Sequence, residues 1–347
     1  MWLVREKLGE DAQLLARDSI GLGRGEAARG LLRGGLRPGD VSAAVRLTGA
    51  SIVHAHNLHP TWGWRALAAA RAAGAKVVLH LHNYRLVCAV GTCADPRGED
   101  CTRCHGADTL PGLRENCRDS RVEAAVYAAA LALHSRRMVE QANAVVVPSA
   151  FALERLRTLG APVEHAHVLP HVMRAFAPTS RADRGTYALI AARLVRGKGL
   201  DVAVAACRQA GIELVVAGDG PLRIERTKGV RTVGRVDGEE LGRLRAGAGL
   251  ELAPSRMAES FGLSAAEAMA AGVPVVGSRI GALTELLPDD ALVTPGDATA
   301  LAAAARRRFG DRDAGTAGIE RVRALTAPEV VAPTLARIYE EVRGKRP

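Results

Sequence analysis

Between Leu250 and Thr284 the chain reads Glu259-Ser260-Phe261-Gly262-Leu263-Ser264-Ala265-Ala266-Glu267-Ala268-Met269-Ala270-Ala271-Gly272-Val273-Pro274-Val275-Val276. Two carboxylates at this spacing can hold two different hydroxyl-bearing groups. Gly262 allows close backbone approach where a helix begins. The amides at that helix start favour an anionic phosphate. Glu267 lies about two turns into the helix, which Gly272 and Pro274 end. Taken singly, Glu259 reads as a partner of the helix dipole and Glu267 as an exposed surface glutamate. The whole string reads as a site for a sugar beside a phosphate.

Upstream stands Ala191-Ala192-Arg193-Leu194-Val195-Arg196-Gly197-Lys198-Gly199. Arg193 and Lys198, if preorganised, stabilise developing negative charge without a metal. In another context each reads as a solvated charge. Gly218-Asp219-Gly220 and Val233-Gly234-Arg235-Val236 are strand-end turns, weak signals taken alone.

Earlier in the chain, His54-Ala55-His56-Asn57 and His80-Leu81-His82-Asn83-Tyr84 end two strand candidates, where open α/β sheets place ligands. His82 is the candidate for the reaction centre, and His56, Asn57 and Asn83 are acceptor-side candidates. A lone strand-end histidine is more often a hydrogen-bonded structural residue. Five of the six cysteines, Cys88, Cys93, Cys101, Cys104 and Cys117, fall in one segment. Cys101-Thr102-Arg103-Cys104 has chelating spacing. In a reducing compartment such a cluster favours metal over disulfides. The expected structural zinc set is Cys88, Cys101, Cys104 and Cys117, with Cys93 or His105 as substitutes; reduced thiols in a loop are the alternative. Cys207 reads as core.

The glutamate string resembles the Glu-x7-Glu motif of the family 4 (group 1) retaining glycosyltransferases, which have the GT-B fold. The resemblance extends in family order through the Arg193–Lys198, Gly218–Gly220 and Gly234–Arg235 segments and covers the second lobe. It implies that Glu259 contacts donor-sugar hydroxyls and that Ser260, Phe261, Gly262 and Leu263 face sugar and phosphate. Glu267 then holds the ribose, Arg193 and Lys198 neutralise the diphosphate, and the Gly234 and Arg235 backbone reads the base. His82 is similar to the family histidine that faces the reacting sugar, and many relatives carry a cysteine-rich insert just after it. The implied reaction is retaining and of hexosyltransferase type, needs no metal or other cofactor for the chemistry, and uses a nucleotide-diphospho-sugar as co-substrate. The acceptor, a glycan, lipid-linked or small molecule, is left unspecified. Attack comes on the face of the departing phosphate, which itself can take the acceptor's proton, so no general base is assigned.

Positioning these residues requires an α/β frame. Strand candidates are Ala12–Ala16, Ser51–Ala55, Lys76–His82, Ala144–Pro148, His167–Pro170, Tyr187–Ala192, Ile212–Ala217, Arg231–Val233, Gly249–Ala253, Pro274–Gly277 and Ala291–Val293. Most are continuous apolar runs, as in parallel strands covered on both faces. Helical stretches between them predict doubly wound sheets. The expected fold is GT-B, two Rossmann-like doubly wound lobes facing across a cleft. Residues 1–174 form the acceptor-side lobe with the Cys-rich insert 88–117, 175–185 the linker, and 186–327 the donor lobe. A final helix, within 328–347, ends in the basic tail Arg343–Pro347 and either stays with the donor lobe or crosses back to the first. Met1–Leu8 reads as the end of a helix, so the first lobe is expected to lack its opening strand and glycine-rich loop.

The 347 residues, 48% hydrophobic and 24% charged, fit two globular domains. Aromatics are only 3%, so Ala, Val and Leu must fill the cores. Net charge is +10 and the pI about 9.8. Such a field attracts nucleotides or an anionic membrane surface, although arginine-rich codon usage produces the same number. Nucleic acid is disfavoured because no recognition module or aromatic stacking set is present. The longest apolar stretch, near Val122–Leu133, falls short of the roughly 18 residues that span a bilayer. No signal peptide opens the chain, so the expected location is cytoplasmic, with peripheral contact at the inner membrane face left open. The competing readings are a nucleotide-sugar epimerase on the same fold and a truncated, non-catalytic nucleotide-sugar binder. A dehydrogenase is disfavoured because no Gly-x-Gly-x-x-Gly follows a first strand.

Overall fold

The computed structural model of the chain describes residues 2–9, 11–18, 21–176, 180–224 and 227–344. Of the expected linker, Ala177, Pro178 and Thr179 lie outside these residues, as do the last three residues of the basic tail. The described chain divides into two compact units. The first comprises Met1–Pro96, Thr102–Pro170 and Val331–Pro347; the second comprises Arg97–Cys101 and His171–Val330.

In chain order the first unit's elements are α1 (Trp2–Leu8), α2 (Arg24–Arg33), α3 (Gly39–Thr48), β1 (Ile52–His56), α4 (Gly63–Ala72), β2 (Lys76–His80), α5 (Leu110–Arg114), α6 (Arg121–Glu140), β3 (Ala144–Val147), α7 (Ala150–Thr158) and β4 (His167–Val168). The strands form one parallel sheet of order β1-β2-β3-β4. Val77, Val78, Val146 and Val147 have no exposed surface, which explains their unbroken apolar runs. Helix starts are set locally. The Ser120 hydroxyl accepts from the Glu123 amide at 3.3 Å to open α6, and the Ser149 hydroxyl accepts from the Ala152 amide at 3.0 Å to open α7.

The second unit continues with β5 (Tyr187–Ala191), α8 (Leu200–Ala210), β6 (Glu213–Ala217), β7 (Val230–Gly234), α9 (Gly238–Gly247), β8 (Ala248–Ala253), α10 (Leu263–Ala270), β9 (Val275–Ser278), α11 (Leu283–Leu286), β10 (Leu292–Val293), α12 (Ala298–Arg308) and α13 (Arg312–Thr326). Its parallel sheet has the order β10-β9-β8-β5-β6-β7. Winding therefore reverses between β5 and β8. A crevice opens at such a switch point, at the carboxyl ends of the strands, and open α/β sheets bind ligands there. Aliphatic cores fill both faces, one around Leu189, Val215 and Met269 and the other around Ile190, Leu252 and Leu301. Cys207 sits in the latter, 1% exposed, and burial pushes its thiol up to about 12.

The last helix, α14 (Pro328–Gly344), starts at the end of the second unit, and from Val331 onward its residues group with the first. Tyr339 on this helix is nearly buried at 6% exposure and hydrogen bonds to His54 on β1.

One expected strand does not form. Residues 11–18 carry no regular structure, and Leu14 and Leu15 are 73% and 47% exposed. The run Ala-Gln-Leu-Leu-Ala lacks the β-branched residues that favour strands. The other ten candidates coincide with strands, within a few residues at their ends. No described helix is long and apolar enough to cross a membrane.

Candidate functional site

The β5 and β8 strand ends supply the main site. Backbone bonds from Ala192 to Ala217 (3.0 Å) and from Leu194 to Asp219 (2.7 Å) bracket Arg193 and tie it to the turn after β6. That turn permits only glycine. A Cβ on Gly218 would lie 1.9 Å from the Ala192 carbonyl oxygen, and one on Gly220 2.4 Å from that of Leu194. A single helical turn at Arg196–Lys198 follows, and Gly199 in the left-handed region starts α8. Lys198 is thereby held on the loop leaving β5.

The Lys198 ammonium lies 2.9 Å from Glu259 Oε2, and the Ser255 hydroxyl donates to the other carboxylate oxygen. The Glu259 side chain is 16% exposed. Burial alone would raise its pKa, but Lys198 and Ser255 more than offset this and hold the carboxyl below its ordinary range. The Ala282 amide donates to the Glu259 carbonyl at 2.9 Å. Gly262 (φ 88°) then turns the chain into α10, so the Leu263 end of the helix follows directly on the Lys198–Glu259 pair. Phe261 packs into the core and meets His171 edge-on at 4.8 Å. Ser260 is half-buried and Leu263 exposed. Gly234 ends β7 with Arg235 exposed beside it, and the Gly218 amide donates to the Gly234 carbonyl at 2.7 Å.

Glu267 is anchored by a network that sequence reading missed. Arg245, at the end of α9, bonds Glu267 at 3.0 Å and Glu251 on β8 at 3.0 Å. Ser264 Oγ donates to Glu251 at 2.6 Å, and Arg245 also reaches the Ser264 carbonyl at 3.1 Å. Glu251 is 1% exposed. Burial pushes its pKa up, and Arg245 and Ser264 pull it back. The available signal was a glutamate inside the otherwise apolar run Ala248–Ala253, since buried charges are paired.

The Arg97–Cys101 stretch of the cysteine-rich insert, expected with the first lobe, packs within the second unit beside the lysine loop. A Cβ on Gly98 would come within 2.5 Å of the Gly197 nitrogen, and Asp100 accepts from the Ala258 amide at 3.2 Å.

The first unit holds a separate cavity of about 210 Å³, lined in part by Asn57, His59, His80, His82, Asn83 and Arg85. Asn57 takes a left-handed conformation (φ 47°), which turns the chain away at the end of β1. Asn83 Oδ1 accepts from the Arg85 amide at 3.0 Å and closes the loop after β2. His56 Nδ1 lies 2.8 Å from His82 Nε2. Burial lowers the pKa of His82 and drops that of His59 to about 4. Burial, reinforced by His56, lowers that of His54 to about 3. These three imidazoles are neutral at pH 7.

The expected cysteine set is divided between the two units. Cys101 groups with the second unit, and Cys88, Cys104 and Cys117 with the first. Cys88 is engaged by Cys93, whose thiol hydrogen bond lowers it to about 6 against the effect of burial. Among the described residues, the ligand atoms that gather within 4.8 Å of one another belong to His54, His56 and His80.

Comparison with known proteins bears on the same two units. Residues 9–171 match the family described as "Glycosyl transferase 4-like domain", and residues 185–311 match "Glycosyl transferases group 1". The chain is similar to a phosphatidyl-myo-inositol mannosyltransferase of Propionibacterium freudenreichii, 39% identical over 79 residues, which is 23% of this chain and 20% of that one. It is also similar to an MMP alpha-(1->4)-mannosyltransferase of Mycolicibacterium hassiacum, 37% identical over 120 residues, which is 32% of this chain and 29% of that one. The matches thus span less than a third of either relative. Among solved structures, a sucrose-phosphate synthase of Thermosynechococcus elongatus superimposes with TM-score 0.66 at 22% identity, covering 92% of this chain and 80% of that one. HepE of Anabaena in complex with UDP superimposes with TM-score 0.61 at 17% identity, covering 87% and 81%. Two parallel-sheet α/β units, matched in turn by the 4-like and group 1 glycosyl transferase families, place this chain in the family 4, group 1 glycosyltransferases.

Proposed function

We propose that the protein is a retaining, metal-independent glycosyltransferase that takes a hexosyl group from a nucleotide-diphospho-sugar. The observation that carries this reading is the Lys198–Glu259 pair at 2.9 Å, on loops leaving the two strands that flank the switch point. A carboxylate held ionised there accepts hydrogen bonds from sugar hydroxyls. Lys198 and Arg193 meet the negative charge that grows on the departing diphosphate, a preorganised stabilisation of the transition state. The amides at the start of α10 favour the phosphate end of the donor. Glu267, oriented by Arg245, takes the ribose hydroxyls. The cavity containing His82, Asn57 and Asn83 serves the acceptor side. No side chain is assigned as base, because the leaving phosphate can take the acceptor's proton. The first donor to test is GDP-mannose, since relatives from Mycobacterium tuberculosis are named GDP-mannose-dependent mannosyltransferases. UDP-glucose is the second, because HepE is found in complex with it.

The test is donor turnover by the full chain and by Glu259→Gln, alongside nucleotide binding by thermal shift. The variant should bind the nucleoside diphosphate with near-native affinity and lose transfer by at least about 100-fold, the order of loss seen on removing one transition-state contact. Near-native transfer by Glu259→Gln would remove the donor assignment. Donor isomerisation without transfer would favour the epimerase.

A further inference from the structure

We propose that His54, His56 and His80 form a binding site for a first-row transition-metal cation of the zinc type in the first unit. The site follows from two His-x-His repeats. His54 and His56 lie on β1, His80 ends β2, and His82 follows two residues later. A strand's period of two sends each repeat to one face. The parallel register sets His56 opposite His80 and so merges the repeats into a single column. The rings stack accordingly, with centroids 4.6 Å apart for His54 and His56, 5.0 Å for His56 and His80, and 4.4 Å for His80 and His82.

The nitrogens have the spacing of a ligand set. One ring nitrogen from each of His54, His56 and His80 lies within 4.8 Å of the other two, and His54 Nε2 is 3.2 Å from His80 Nδ1. Two nitrogens bound to one tetrahedral zinc at about 2.0–2.1 Å sit roughly 3.4 Å apart. The His54–His80 pair is therefore already at coordination distance. His56 is exposed, so its ring can swing inward by the remaining ångström or so without disturbing the core. The far side of the set is prepared as well. His54 Nδ1 lies 2.8 Å from the Tyr339 hydroxyl, which can accept its N–H and direct the Nε2 lone pair toward His80. An outer partner of this kind fixes tautomer and ring orientation at metal sites. Three imidazoles leave a fourth position for water. An all-nitrogen set suits zinc, nickel or copper and is poor for magnesium or calcium. A cation here would tie the ends of β1 and β2 together directly beneath the loop that carries His82.

The experiment is equilibrium dialysis of the full, reduced chain against Zn2+, with Co2+ as spectroscopic probe. The wild type should retain one equivalent of Co2+ whose ligand-field bands come without a thiolate-to-cobalt charge-transfer band. His56→Ala, a change at an exposed side chain that leaves the fold intact by circular dichroism, should lose that equivalent. Tyr339→Phe should weaken it by roughly 10–100-fold, the usual effect of removing an outer partner. The proposal is overturned if the wild type retains no metal, or if all retained metal shows the thiolate band and is undiminished in His56→Ala.

Discussion

Replacing Arg245 by Met tests whether the donor unit is organised around a buried charge network. The guanidinium is 8% exposed and joins Glu251, 2% exposed at its side chain, to Glu267, 39% exposed. Met fills much of the same volume but leaves Glu251 without its cation, holding only the Ser264 hydroxyl. Breaking a buried pair from one side costs about 3–5 kcal/mol, because the remaining charge stays desolvated. At about 2–4 °C per kcal/mol for a unit of this size, the melting temperature should fall by roughly 6–20 °C. The double variant Arg245→Met/Glu251→Leu removes both charges and should recover most of that loss. Glu267→Gln alone, at a half-exposed end, should cost under about 1 kcal/mol. Thermal and urea unfolding of the four proteins measures all of this, and donor titration adds the functional arm. Arg245→Met should raise the donor KM more than it lowers kcat, because it frees a binding carboxylate and not a reacting one. The reasoning fails if the single variant loses less than about 1 kcal/mol, or if the double variant is no more stable than the single.

Other consequences can be checked as directly. Gly218→Ala puts a Cβ 1.9 Å from the Ala192 carbonyl oxygen and must push the Arg193 loop outward, so donor affinity should fall at least tenfold in a nucleotide titration. Glu259 has a folded-state pKa below its ordinary value of 4.5, so its ionised form stabilises the fold above that pH and this stability is lost as pH falls through the lowered pKa. Glu259→Gln should therefore flatten the decline in stability below about pH 4.5, and an unchanged acid slope would contradict the Lys198 pairing. His82→Ala should lower turnover more than donor affinity, measured as kcat against nucleotide Kd, and a pure affinity loss would remove it from the reaction centre.

Much of this architecture is readable from residue order. Continuous Val, Leu and Ala runs marked most of the ten strands, because parallel strands buried on both faces have no polar side to show. The false strand at Ala12–Ala16 had the hydrophobicity without the β-branched residues. The candidate donor residues were legible because they follow strand ends in a fixed order, and a strand end is where backbone geometry leaves side chains and amides free for a ligand. The cysteine set is less legible for the complementary reason. Spacing along the chain shows which thiols can chelate, but where the backbone carries them is decided by packing, and Cys101 groups with a different unit from Cys88, Cys104 and Cys117.

What the sequence determined by itself, then, is the frame, and it singled out Arg193, Lys198, Glu259 and Glu267 as candidates, since periodicity and strand-loop order are local properties. Only the tertiary structure supplied the partners that hold such residues in place. Ser255 locks Glu259, Arg245 reaches Glu267 across 22 positions of chain while holding Glu251, and Tyr339 reaches His54 across 285. Contacts of this kind depend on which surfaces the folded sheets and helices bring together, and that information is spread over the whole chain and carried by no single segment.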